Sequence, residues 1–193
     1  MNWTEAKHRI HERLISSEQS NKYNLLVKVG VAADVYRTWY IEKPGHMIAV
    51  TFPMLQQWTV QDDISIPDLE AAAAQNDGES YFVRKMSEIL GFADDSTSQM
   101  YVISKGDGMF GAAAMLDNSI LSRLQRIFPD GFYILPSSIH EVLAVSAGTA
   151  SPEELAVMVR NINREQVSEE DRLSDHVFTV ERGSLTIAAY ERT

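Results

Sequence analysis

At 193 residues, with 45% hydrophobic and 23% charged side chains, the chain has ordinary globular composition and enough length to bury a core, which excludes a disordered or fibrous protein. It contains no cysteine, so disulfides, thiolate catalysis and cysteine-ligated zinc or iron–sulfur centres are excluded. A formal net charge of −10 sets the average surface against phosphate backbones.

Trp3, Ala6, Ile10 and Leu14 recur at helical spacing, which predicts an amphipathic helix over 3–17. A second short helix is expected at 22–29. VYRTWYI (35–41) and HMIAVTF (46–52) read as strands, and Pro44-Gly45 between them suits the centre of a type II turn, so this is a hairpin. Pro53 opens a helical turn ending near Trp58. Ser65 and Asp68 have capping-box spacing for an alanine-rich helix over 66–76. A further helix is expected from Ser80, with Phe82, Val83, Met86, Ile89 and Leu90 on one side and Gly91 as its stop.

The second half has the same style. MYVIS (100–104) reads as a strand, and a glycine loop leads from it into 112–116. Ile120, Leu121, Leu124, Ile127 and Phe128 mark a helix that Pro129-Asp130-Gly131 ends. FYIL and EVLAV form two strands joined through PSSIH. Ser151, Pro152 and Glu154 start another helix, and Leu155, Met158, Val159 and Ile162 give its apolar face. HVFTVERGSLTIAAY closes the chain as a hairpin turning at Arg182-Gly183. Strands joined by short turns favour antiparallel pairing. The expected fold is α+β, a mainly antiparallel sheet of hairpins with packed amphipathic helices. One domain over 1–193 is expected, allowing a subdivision into a helical and hairpin half, 1–95, and an α+β half, 96–193.

Three groups of residues invite a chemical reading. Gly106, Gly108 and Gly111 spell GxGxxG after a strand, the pattern that lets a backbone approach a pyrophosphate at a helix N-terminus. Here the following helix is only about one turn long and the next elements pair as a hairpin, so a flexible strand-to-helix loop is the preferred reading. His8 and His11, three apart and with Glu12 beside them, would share a helical face, but no HExxH and no third ligand completes a metal site. His46 and His176 stand alone.

Ser137, Ser138, His140 and Glu141 bring hydroxyl, imidazole and carboxylate together, as nucleophile, base and orienter would be. Consecutive residues of a regular strand point to opposite faces, however, so His140 and Glu141 cannot both serve one site there. No GxSxG elbow is present. The alternative is a structural corner in which Pro136 and the two serines satisfy local backbone.

The segments FYILPSSIHEVLAV, Tyr101-Val102-Ile103 leading to Gly111-Ala112, LSDHVF (173–178), KHRIHERLI, NKYNLL, Trp58 and 69–76 resemble an uncharacterised bacterial domain-of-unknown-function family, distantly similar to YtpQ-like proteins. The resemblance covers nearly the whole chain and implies a version shorter at the N-terminus. The chain departs from that family's Thr-Asn junction with Ser104-Lys105-Gly106. The resemblance implies a cytoplasmic location and no assigned activity.

The expected function is therefore that of a non-enzymatic cytoplasmic binding or interaction protein. The alternative is a small serine-hydrolase-like enzyme using Ser137 or Ser138 with His140. No metal and no cofactor is expected. The expected partner is another protein or a second copy of the chain, not nucleic acid or membrane, since the start lacks an apolar h-region and no apolar run approaches the roughly 20 residues of a membrane helix.

Overall fold

The computed structural model describes residues 1–91, 100–181 and 184–188. It is an α+β fold in two compact units, Met1–Ser80 and Tyr81–Thr193.

The first unit is built on a four-stranded antiparallel sheet of β1 (Ile10–Ser16), β2 (Lys28–Ala32), β3 (Val35–Lys43) and β4 (His46–Ala49). The central strand β3 pairs with β1 from Ile10↔Ile41 to Ser16↔Val35, and on its other side with β2 and then β4. Pro44-Gly45 turns the β3–β4 hairpin as expected, with Gly45 at φ 77°. In this register Ile10, Glu12 and Leu14 share a face with Ile41, Trp39 and Arg37, because strand side chains alternate. That face meets helices α3 (Phe52–Asp62) and α4 (Ile66–Asp77). Ile10, Val27, Trp39, Ile41, Trp58, Leu69 and Ala73 make one buried cluster there. The capping box of α4 forms between Ser65 and Asp68 as expected.

Four sequence expectations change. The helix over 3–17 stops early: only α1 (Trp3–Ala6) and a 3₁₀ turn (Lys7–Arg9) are helical. From Ile10 the chain is strand, because seven consecutive residues find partners on β3. The short helix α2 covers Ser17–Lys22, not 22–29, since Ser16 and Gln19 form a capping box that starts it early and Lys28 enters β2. The turn expected to end near Trp58 runs on as α3 until Asp63 adopts the left-handed conformation, φ 57°. The helix expected from Ser80 is β5 (Tyr81–Lys85) followed by α5 (Met86–Leu90), because the strand at Met100–Lys105 claims its first half as a partner. Gly91 does stop α5, at φ 70°.

The second unit has a six-stranded antiparallel sheet in the order β10-β9-β7-β8-β6-β5. Its other strands are β6 (Met100–Lys105), β7 (Phe132–Leu135), β8 (Glu141–Ser146), β9 (Phe178–Glu181) and β10 (Ser184–Ile187). The β9–β10 hairpin forms as expected, and its turn at 182–183 lies outside the described residues. Helix α7 (Pro152–Gln166) packs Leu155, Ala156 and Val159 against Leu135, Val145 and Val177. A buried 3₁₀ segment, Gly111–Leu116, and helix α6 (Asn118–Ile127) contribute Ala112, Met115, Leu121 and Leu124 to the buried apolar set. Among the described residues no helix is long and apolar enough to cross a membrane.

Candidate functional site

The PSSIH segment is a corner between β7 and β8, zipped to the chain around Asp171. Ile139 donates its N–H to the Asp171 carbonyl at 2.8 Å, Leu173 to Ser137 at 3.1 Å and Ser174 to Pro136 at 3.0 Å. Ser138 Oγ accepts the N–H of His140 at 3.0 Å, a local bond that tightens the bend. The His140 ring lies over Phe110, with centroids 5.6 Å apart and 15° between planes. Its Nδ1 accepts the Phe110 N–H at 3.3 Å, and its Nε2 faces Asp171 Oδ1 at 3.2 Å. Those partners assign the neutral tautomer with the proton on Nε2. Ser168 Oγ donates to the other Asp171 oxygen at 2.7 Å.

Of the residues singled out in the sequence, Ser138 and His140 are brought together, but through the His140 backbone. Among the described residues neither Ser137 nor Ser138 reaches the ring. Glu141 is exposed on β8, opposite Ser104 of β6. The groups that engage the imidazole, Phe110 and Asp171, lie 30 and 31 residues away in sequence. No local spacing could have found them.

The glycine loop is held by the same corner. The N–H groups of a phosphate cradle would have to face outward, yet here five of those between Gly108 and Ala113 are engaged within the protein. Gly108 donates to Lys105 O, Ala112 to Ile139 O and Ala113 to Phe110 O. Met109 donates to Asp107 Oδ1, and Phe110 to the His140 ring. Gly108 supplies the positive φ of the turn, 73°. Gly111 supplies space: a Cβ there would sit 2.4 Å from Lys105 N and 2.6 Å from His140 O. The 3₁₀ segment that follows is buried from Gly111 to Met115, so its start offers no open anion seat.

His8 and His11 do not share a helical face, since His8 lies in the 3₁₀ turn and His11 in β1. His11 stacks on Tyr40, with its Nδ1 2.7 Å from Asp77 Oδ1 and its Nε2 3.4 Å from Glu42. His46 is the exposed first residue of β4, and His176 lies beside Ser174. Among the described residues no group of three or more His, Cys, Asp or Glu is arranged to hold a metal ion.

A denser set of charges lies between β1 and α4. Glu12 accepts from Arg37 Nε at 3.1 Å, and Arg37 also pairs with Glu70 of α4. The buried Asp77 accepts the Glu12 N–H at 2.9 Å. Burial pushes the Glu12 carboxyl up to about 7; Arg37 opposes the rise, and the Asp77 and Glu70 charges add to it.

The sheet of the first unit also carries an apolar pocket of about 140 Å³, walled by Ile15, Leu26, Thr38, Trp39, Tyr40 and Ala49, with Arg13 and Tyr23 also lining it. It is about the size of a cavity that accepts one benzene ring. Beside it in the chain, Tyr23, Leu25 and Phe52 are exposed, Leu25 by 66%. The Phe52 N–H bonds the Leu25 carbonyl, which keeps these two residues together. None of this was read from the sequence, because the lining comes from three strands and the α2–β2 connection.

The sequence pattern of a family of unknown function (DUF5688) matches residues 1–182. The chain belongs to this family. No curated protein and no solved structure matches it. The PSSIH corner, the glycine loop and the pocket all lie within the span that the DUF5688 pattern matches.

Proposed function

We propose that this DUF5688 chain is a non-enzymatic binding protein of the cytoplasm, and that the pocket on its first sheet receives an apolar side chain of a protein partner. The observation that carries this reading is the pocket itself: a ring-sized apolar recess beside exposed Tyr23, Leu25 and Phe52. Interfaces concentrate their energy where one aromatic or aliphatic anchor fills such a recess. Arg13 lines the pocket and Lys22 lies 5.9 Å from the Tyr23 ring, so an anchor flanked by acidic residues fits this corner of an otherwise acidic chain. The absence of cysteine suits a reducing compartment.

The corner at His140 supports the same reading from the other side. Its imidazole is occupied by a backbone N–H and a carboxylate, which suits a structural tie better than a general base.

A displayed peptide library panned on the full chain tests the proposal. Enrichment of sequences with a Phe, Tyr or Leu anchor next to acids is expected, with binding lost in Ala49→Trp, which fills the recess from an exposed position. Peptides that bind Ala49→Trp as well as wild type, or no enrichment at all, would overturn it. So would labelling by a fluorophosphonate that needs Ser137 or Ser138, which is the outcome the hydrolase alternative requires.

A further inference from the structure

We propose that the contact between β1 and α4 is a proton-operated latch, in which loss of one proton from the Glu12–Arg37–Glu70 cluster loosens the last turn of α4 from the outer edge of β1. The charges are unbalanced by construction. Glu12 on β1 and Glu70 on α4 both pair with one guanidinium, that of Arg37 on β3. The α4 carboxylate of Asp77, 1% exposed, sits against the Glu12 backbone. Glu12 itself is 12% exposed, so water screens it poorly.

The neighbouring charges do not restore the balance. His11, on the opposite face of β1, is taken up with Asp77 and with Glu42 of β3. Arg13 likewise lies on that opposite face, by the same alternation. The 3₁₀ turn before β1 gives this contact the Lys7 carbonyl, which accepts from Asn76. A neutral Glu12 leaves the Arg37 guanidinium to Glu70; an ionised Glu12 puts two carboxylates on that one guanidinium, with the Asp77 charge also acting on Glu12. Burial holds the Glu12 proton until about pH 7. Above that, separating α4 from β1 and admitting water relieves the repulsion.

What the latch holds is specific. Asn76 Nδ2 donates to the carbonyls of Lys7 and Ile10 at 2.9 and 2.8 Å, and Asp77 accepts the Glu12 N–H. The bonds at Ile10 and Glu12 occupy the free side of an edge strand, the side that otherwise pairs with any passing chain. The latch therefore controls exposure of a sheet edge. It is independent of the pocket, and its failure would leave the binding reading untouched.

Hydrogen exchange on the full chain reads the latch directly. After correction for the intrinsic rate at each pH, protection of the Glu12 amide and of the last α4 amides should fall by up to about tenfold between pH 6 and 8.5. In Glu12→Gln the same amides should keep constant protection. Protection unchanged in wild type, or an equal fall in Glu12→Gln, overturns the proposal. A carbon-detected titration of the Glu12 carboxyl gives a second reading that needs no variant: a midpoint near 7 supports the latch, and one near the ordinary glutamate value of about 4.3 sinks it.

Discussion

A Cβ placed on Gly111 would lie 2.6 Å from the carbonyl oxygen of His140, closer than side-chain carbons approach backbone oxygens. The glycine is there so that the loop after β6 can seat against the PSSIH corner. Ser104 Oγ reaches the same carbonyl at 2.9 Å, and Ala112 donates to the neighbouring Ile139 carbonyl. Gly111→Ala forces this junction apart and is expected to lower stability by about 1–3 kcal/mol, in the range of overpacked cores. Gly108→Ala meets nothing within 4 Å but must hold a φ of 73°, so its cost should stay at about 1–2 kcal/mol. Denaturant midpoints of the two variants check the order. Equal midpoints for wild type and Gly111→Ala would show that the junction yields freely.

The two serines of the corner should behave differently. Ser138 Oγ accepts the His140 N–H, and that bond is lost in Ser138→Ala, at about 1 kcal/mol. Ser137 holds the chain through its backbone carbonyl, which an alanine keeps, so Ser137→Ala should change stability by less than about 0.5 kcal/mol. Ile134→Ala and Val142→Ala remove fully buried side chains from the arms of the same corner. They should cost more than either serine, about 2–4 kcal/mol for the isoleucine. Melting curves of the four variants test the ranking.

The corner was legible because its signals are local. A proline, two serines and apolar arms on each side announce a bend between strands, and β7 and β8 pair as those arms predict. What engages His140 was hidden, because Asp171 and Phe110 arrive from distant segments. Strand β1 was hidden for another reason. Its core-facing positions are Ile10, Glu12 and Leu14, so a half-buried acid interrupts the apolar alternation, while Trp3, Ala6, Ile10 and Leu14 happen to match a helix. Only the pairing with β3, which is tertiary, decides between them. The β2–β3 turn shows the same limit, since Ala33 carries its positive φ of 43° without the glycine or asparagine that marks such turns.

Asn76 makes a further prediction about that edge. Its amide ties α4 to two carbonyls of the chain entering β1, and both lose their donor in Asn76→Ala. A cost of about 1–3 kcal/mol is expected, more than for Ser65→Ala at the other end of α4, where an exposed capping box is worth about 1 kcal/mol. Thermal unfolding at fixed pH compares the two. A Ser65→Ala loss exceeding that of Asn76→Ala would show that the edge contacts are dispensable.

Glu12 gives stability a pH dependence of unusual sign for a carboxylate. Its folded-state carboxyl is pushed up to about 7 from 4.5, so the folded chain binds this proton more tightly than the unfolded chain does. Stability from this group is fully present below pH ~4.5 and declines as pH rises towards ~7, because there the unfolded chain has already released its proton. The fall amounts to about 3 kcal/mol over that interval and is complete above it. Glu12→Gln removes the titration while keeping an amide oxygen to accept from Arg37 Nε. The variant should therefore resemble wild type near pH 4.5 and exceed it by up to about 3 kcal/mol at pH 8. Urea unfolding at both pH values measures the difference. A variant less stable than wild type at pH 8 would mean that the ionised Glu12–Arg37 pair outweighs the burial of its charge, reversing the sign of the effect.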